Sequence, residues 1–469
     1  MSTERPVVIV GAGPAGIRAA ETLVRHGLKP VVVDEAPRSG GQIYRQPPAH
    51  FQRNKQTLYG RDAARAAALH DTMAGLLPHI QYHSDTLAWN AEGGQLDLLH
   101  QLQPQQRLTA TQPYTQLILS TGATDRVLPF PGWTLPGVFT LGGAQVALKY
   151  QGCAIGHRVV FIGSGPLLYL VAYQYAKAGA SVVAVLDTAA LADQVAALPG
   201  LMAAPGLLAR GMYYVAWLRA HGVPLHGGIQ PLQVLGDDRV SAVRWRDDRG
   251  EHALACDALG LGHALRPETQ LPDILGCRFE FDALQRAWLP VRDSAGRSSV
   301  PGVYLAGDGA GILGAPAAEW AGERAALALL ADTGHRLTPA DTARVAHLER
   351  RLARAQRFRR GLERAFPFPT AWAAQASDEL LVCRCESLTA GELRATARAT
   401  GTTEINRLKA LTRVGMGRCQ GRMCAVAATE ILAQCTGQPL PAVGRLRGQA
   451  PVKPIPFAAA RPLAPEPPP

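Results

Sequence analysis

The sequence predicts an α/β fold: two Rossmann-like dinucleotide-binding domains, the second inserted in the first, plus a small helical domain that follows them. Three observations predict it. Two glycine-rich turns, at 11–16 and 163–168, each follow a short apolar strand and open a helical segment, the pattern in which a helix N-terminus offers free amides to a phosphate. A further strand ending in Gly307-Asp308 lies beyond the second turn, as it would if the chain left the first sheet, built a second and returned. Four cysteines, Cys383, Cys385, Cys419 and Cys424, then gather on two short segments.

Length and composition agree with this organisation. At about 150 residues per domain, 469 residues make roughly three domains. Hydrophobic residues at 47%, with 48 glycines and 35 prolines spread along the chain, exclude a disordered or collagen-like protein. The net charge of +11 is local: between Asp341 and Arg364 eight arginines face three carboxylates and supply five of those charges. Val345, Leu348, Leu352 and Ala355 recur there at helical spacing, so the stretch reads as an amphipathic helix with a basic outer face, solvated or turned to a partner. No aromatic-interleaved basic motif accompanies it, and nucleic acid is not an expected partner. The first residues lack a charged segment leading into an apolar one, so no secretory signal is visible. Leu167 to Leu186 contains Tyr169, Gln174, Lys177 and Gly179 and reads as helix plus strand, so no transmembrane segment is expected. A cytoplasmic location, open to peripheral membrane association, follows.

The first turn, Gly11-Ala12-Gly13-Pro14-Ala15-Gly16, sits between the run Val7 to Val10 and a helical segment to His26. Gly11 permits the tight turn, Gly13 lets backbone approach a pyrophosphate, and Gly16 lets helix pack on strand. The next strand, Pro30 to Val33, ends in Asp34-Glu35, where a carboxylate can accept from ribose hydroxyls; Asp34 is the first choice and Glu35 the reserve. Gly40-Gly41-Gln42 follows, then a strand from Leu117 ending in Thr121-Gly122-Ala123, then Gly302 to Ala310 with Asp308 placed to hold a polyol chain. Together these segments resemble the FAD half of two-dinucleotide-domain flavoprotein reductases.

The second turn runs Gly163-Ser164-Gly165-Pro166-Leu167-Leu168, and its following strand, Ser181 to Leu186, ends at Asp187. Leu168 stands where the third glycine would be, which removes the close helix–strand contact. Two readings stay open: a site for a non-exchanging adenine nucleotide, NAD or ATP, or a domain kept for packing. The expected domains are 1–149 with 266–335 for FAD, 150–265 for the insert, a basic helical linker at 336–375, the cysteine domain at 376–440 and an extended tail at 441–469. Cys153, Cys256 and Cys277 are isolated in sequence and read as single buried thiols, so no dithiol relay is expected.

Cys383-Arg384-Cys385 and Cys419-Gln420-Gly421-Arg422-Met423-Cys424 can enclose one metal centre. Thr389 to Glu392 between them reads as a capping box, so the connection is folded. Arg413, Arg418 and Arg422, with the amides of Gly415, Gly417 and Gly421, would offset the charge of a thiolate-ligated [2Fe–2S] cluster. Structural zinc is the rival, although its cysteine pairs are normally two to four residues apart. The segment Lys409 to Cys424 resembles the bacterioferritin-associated-ferredoxin type of [2Fe–2S] module, with four residues rather than the family's usual two between its last cysteines.

Nearly the whole chain resembles the α (A) subunits of the opine oxidase, D-hydroxyproline dehydrogenase and hydrogen cyanide synthase family, and is also similar to part of sarcosine oxidase α. The segments that carry this are Gly40 to Arg45, Pro129 to Val138, Gly163 to Leu168, Tyr304 to Gly311 and the cysteine module. The resemblance implies a β subunit with its own FAD that oxidises the C–N bond of D-hydroxyproline, an opine such as octopine or nopaline, or a related amine. It implies also an FMN near the subunit interface, a small additional subunit in some members, and an electron acceptor that is a quinone or a carrier protein. No catalytic residue is assigned in this chain, since its 13 histidines are scattered and no paired carboxylates are evident. The competing expectations are a stand-alone NAD(P)H-dependent FAD/[2Fe–2S] reductase, which Leu168 weakens, and an iron-responsive binding module, for which two nucleotide folds are superfluous.

Overall fold

A computed structural model describes residues 6–456 except 49, 52, 104 and 105. Two five-stranded parallel sheets organise the chain. The first has the order Val303–Leu305, Gln116–Leu119, Val7–Val10, Val31–Val33, Gln81–His83. Its central strands are β-branched runs buried on both faces, as parallel sheets covered by helices require. The second has the order Leu225–Gly227, Ser181–Asp187, Arg158–Ser164, Ala258–His263, Val138–Thr140. The chain crosses between them on two antiparallel strands, Ala123–Asp125 and Leu265–Pro267. The second sheet is therefore inserted within the first, and the α/β doubly wound architecture is as the glycine turns predict.

Helix Ala315–Asp332 closes the first sheet by crossing helix Pro14–Arg25. The crossing is tight because of Gly322: a Cβ there would lie 1.9 Å from the Ala15 carbonyl oxygen. The basic segment is one helix, Pro339–Ala365, started by a capping box in which Thr338 and Asp341 exchange hydrogen bonds. Leu348 faces the first core, while Phe358 and Ala365 pack on Ala197 and Leu201 of the insert. There the backbones meet at paired glycines, since a Cβ on Gly361 would lie 2.7 Å from the Gly200 carbonyl carbon. Arg350, Arg351, Arg354 and Arg357 stay exposed. One side of this helix thus bolts both sheets together, and the other carries the charge.

The cysteine region has a small hairpin, Leu381–Cys383 with Leu388–Thr389, and helices Ala390–Thr400, Ile405–Thr412 and Ala425–Thr436. Thr389 and Glu392 form the expected capping box. This unit shares one core with the insert's sheet. Trp133 Nε1 donates to the Leu381 carbonyl at 2.7 Å, and Trp372 Nε1 to that of Pro129 at 2.7 Å. The Pro129–Val138 segment therefore docks the cysteine unit.

Two expectations are corrected. Residues 441–456 are not a free tail, because buried contacts hold them: Arg445 pairs with Asp273 through both nitrogens, and Val452 enters the core beside Leu271 and Cys277. Residues 457–469 of that tail lie outside the described residues. Cys256 and Cys277 are buried, but Cys153 is exposed, since it follows Gly152 on a surface turn.

Candidate functional site

The residues expected to hold FAD converge at the C-terminal edge of the first sheet, where open α/β sheets bind ligands. Gly11 has φ +105°, and a Cβ there would sit 2.4 Å from the Ser120 carbonyl oxygen. Gly16 is tighter still, 1.8 Å from Gly11 O. Gly13 faces Gly41, whose added Cβ would lie 3.1 Å from the Gly13 Cα, so two backbones line one slot and side chains are excluded from it. Pro14 and Ala15 begin the helix whose free amides point into that slot.

Asp34 is half-buried against the turn. Its carboxylate accepts from the amides of Ala12 at 2.5 Å and Ala36 at 2.7 Å. Burial pushes it up to about 6, against those hydrogen bonds. Glu35 instead turns out to Lys453. Gln42 follows the slot, exposed, and accepts from Arg45 Nε at 3.1 Å. Asp308 accepts from the amides of Leu313 and Gly314 at 2.8 and 2.9 Å, and Gly309 packs on Thr121 and Gly122. Ala123 begins the strand that leaves for the insert. A slot lined by glycine backbone, at the same sheet edge as the carboxylates of Asp34 and Asp308, fits an extended dinucleotide.

The second turn is built alike and ends differently. Gly163 and Gly165 are both left-handed, and a Cβ on Gly163 would collide with Gly262 O at 1.8 Å. Leu168 is wholly buried. Asp187 is 0% exposed, and its carboxylate accepts from Tyr169 Oη at 2.8 Å and the Ala189 amide at 2.9 Å. Burial pushes it up to about 6. Tyr169 in turn packs toward Phe366, at the end of the long basic helix, with ring centroids 6.4 Å apart. Tyr169 and Phe366 had no signature in the sequence, because their partners lie far along the chain.

The four clustered cysteines come together. Side-chain contacts run Cys385–Cys419–Cys424–Cys383. The Cys383 thiol, accepting from Cys424 and from the amides of Glu386 and Gly415, is held down at about 6. Cys419, accepting from Cys424 and from the amides of Met423 and Gly421, is held down at about 5. Cys424, the shared donor, is pushed up, and burial pushes Cys385 up. Gly417 is pressed on Cys385, where a Cβ would lie 2.3 Å from the cysteine's own. Among the described residues no three or more His, Cys, Asp or Glu side chains are disposed about a single ion. The thiols form a row, and amides from two loops converge on Cys383 and Cys419; four sulfurs with such donors fit a thiolate-ligated cluster. Arg413 and Arg422, expected to offset charge there, are paired with Glu386 and Glu268.

Glu268, unmarked in the sequence, joins the two centres. Its amide donates to Gly122 O at 3.0 Å and its carbonyl accepts from Thr121 Oγ1 at 2.6 Å. Its carboxylate takes Arg422 of the cysteine loop at 2.8 Å. Two residues on, Gln270 Nε2 donates to Gln420 O at 2.7 Å. One short segment thus touches the dinucleotide edge on one side and the cysteine loop on the other.

Comparison with known proteins agrees with this layout. Residues 5–327 match the pyridine nucleotide-disulphide oxidoreductase family and 380–461 the sarcosine oxidase A3 domain. The opine oxidase A subunit of Agrobacterium tumefaciens (strain Ach5) is 37% identical, covering 96% of this chain and 90% of its own length. The hydrogen cyanide synthase HcnB subunit of Pseudomonas protegens is 35% identical over 97% of each. L-proline dehydrogenase of P. horikoshii superposes with a TM-score of 0.67 at 19% identity, covering 98% of this chain and 80% of its own. T. acidophilum thioredoxin reductase gives 0.51 at 23% identity, covering 70% and 99%. These two likenesses show the fold.

Proposed function

The chain belongs to the pyridine nucleotide-disulphide oxidoreductase family, alongside the opine oxidase A and HcnB subunits, and we propose that it is the electron-transferring subunit of a heteromeric FAD-dependent dehydrogenase. The substrate bond is the C–N bond of an amino acid or opine, and the partner subunit holds it. The observation that carries this reading is the Glu268 segment, which fastens the cysteine loop to the flavin edge. Bound FAD would supply two-electron uptake with one-electron release, and a [2Fe–2S] cluster passes electrons singly. Gly13 and Gly41 would line the pyrophosphate, Asp34 the ribose and Asp308 the ribityl chain. Cys383, Cys385, Cys419 and Cys424 would hold the cluster, with Gly415 and Gly421 amides steadying its charge.

The insert supports packing over nucleotide exchange. Its acid is sealed by Tyr169, and Leu168 fills the third turn position. That weighs against a stand-alone NAD(P)H reductase. A partner subunit has a surface to meet: Leu191, Val195, Leu198, Met202 and Met212 of the insert are exposed, an apolar stretch of the kind that marks protein interfaces. The FMN implied by the resemblance belongs at that subunit boundary. No described helix is long and apolar enough to cross a membrane.

The test is reduction of the purified complex by candidate amino acids and opines, followed by visible and electron paramagnetic resonance spectra. Flavin bleaching and a reduced-cluster signal should both appear, and Cys383→Ser should abolish the second while flavin stays bound. Bleaching of this chain by NADPH without a partner would establish the reductase instead.

A further inference from the structure

A cleft lies between the returning flavin-domain segment and the cysteine unit, and none of the residues assigned to the dinucleotide slot lines it. Its charged lining is six cations, Arg126, Arg266, Arg286, Lys409, Arg445 and Arg447, against two carboxylates, Asp273 and Glu430. Both carboxylates are already taken. Glu430 binds Arg286 through both oxygens at 2.6 and 2.8 Å, and Asp273 binds Arg445 at 2.5 and 2.7 Å.

Arg447 also reaches Asp273, at 3.7 Å, and Lys409 Nζ donates to the Arg447 carbonyl at 3.0 Å, which leaves the guanidinium groups of Arg126 and Arg266. Arg126 is 5% exposed, yet its hydrogen-bond partner is a carbonyl, Gln285 O at 2.9 Å. Arg266, half-buried, reaches Gly421 O, at 3.5 Å. Neither has a carboxylate within ion-pair distance among the described residues. Burial depresses Arg126 to about 10, with Glu363 and Glu430 opposing it and Arg359 and Arg266 adding to it. A buried guanidinium without an ion-pair contact is a costly arrangement. Trp288 adds a third donor, because its Nε1 is buried in the same lining and has no acceptor.

We propose that this cleft binds a phosphate monoester, with Arg126, Arg266 and Trp288 Nε1 donating to its terminal oxygens. Three donors from separate segments suit a tetrahedral head with three free oxygens, which two guanidinium forks can grip. A planar carboxylate offers two acceptor oxygens in one plane where the monoester offers three around a tetrahedron. Beyond the donors the wall turns apolar at Phe281, Val426 and Leu446, which gives the organic part of the ester its place. Arg266 also lies within electrostatic range of Cys419 and Cys424, so an occupied cleft would neutralise a cation beside the cysteine row.

The test uses the complete purified complex, dialysed exhaustively, with Trp fluorescence and thermal unfolding as readouts. The probes are adenosine monophosphate, inorganic phosphate and succinate. The monophosphate should bind saturably and raise the melting temperature. Phosphate should compete more weakly, and succinate should not compete. Arg126→Met and Arg266→Met should each weaken the nucleotide about tenfold or more, with flavin and cluster spectra unchanged. Without ligand, each should melt no lower than the parent, because an unneutralised buried charge has been removed. Absence of saturable binding, unchanged affinity in both variants, or succinate binding as tightly as the monophosphate would overturn the proposal. A lower melting point in ligand-free Arg126→Met with no loss of affinity would overturn it too, by making the arginine structural.

Discussion

The two glycine turns of this chain start from nearly the same backbone and end as different sites. Both have left-handed glycines pressed on a neighbouring strand, and both are followed by a strand that ends in an aspartate whose burial raises it to about 6. They part at two positions. In the first turn Gly16 leaves no room for a side chain, whereas Leu168 puts a full one into the core of the insert. Asp34 is reachable and bonded by backbone amides; Asp187 is sealed under the Tyr169 hydroxyl. The proposed packing role of the insert rests on this difference, in which the second acid has an internal side-chain partner and the first does not.

The sharpest way to break the comparison is to put a side chain into the first turn. Gly16→Ala places a Cβ 1.8 Å from the Gly11 carbonyl oxygen, where nothing can yield except the turn itself. The expected result is a complex that retains no flavin in this chain, read as loss of visible absorbance per mole. Normal flavin content would mean the turn does not hold it.

The reciprocal change tests the insert. Leu168→Ala should cost about 2–5 kcal/mol by leaving a cavity in a closed core, measured by chemical denaturation, with flavin content unchanged. A loss of flavin instead would mean that the insert's turn takes part in the first site.

Acidity sharpens the comparison further. The ordinary value for Asp187 is 3.8, and burial raises it to about 6. A carboxylate raised in the fold favours the folded state while protonated, and this contribution fades as pH rises from about 4 through about 6. Asp187→Asn cannot titrate, so the stability difference between parent and variant should shift by about 2 kcal/mol between pH 4 and pH 7. The parent should lose ground at the higher pH. A constant difference would mean that Asp187 titrates normally.

Much of this architecture was legible because it is local. Strand, glycine turn, helix and acid lie within some thirty residues of one another, and each glycine answers to a positive φ or a close contact in its own unit. Leu168 was legible for the same reason, and so were the two short segments that carry the four cysteines, though the contacts Cys383–Cys424 and Cys385–Cys419 run between the segments. What could not be read was long-range. Glu268 meets Arg422 across 154 positions, and Arg126 meets the Gln285 carbonyl across 159. No periodicity marks such residues, so both the bridge and the anion cleft emerge only once the chain is folded. The tail misled for a related reason: its proline-rich composition suggests extension, yet Arg445 and Val452 have buried partners elsewhere.

The smallest effect separates the two acids most finely. Tyr169→Phe removes one donor, at 2.8 Å from Asp187, and leaves the ring that packs toward Phe366. Asp34 has no counterpart to this change, because its donors are backbone amides. The loss should be about 1–2 kcal/mol, larger above pH 6, where the acceptor is ionised, than below pH 4, where it is protonated and the bond is between neutral groups. Flavin content should not move, since the hydroxyl serves the insert alone. An equal loss at both pH values would separate the hydroxyl from the titrating carboxylate, and the sealed-acid account of the second turn would then rest on Leu168 alone.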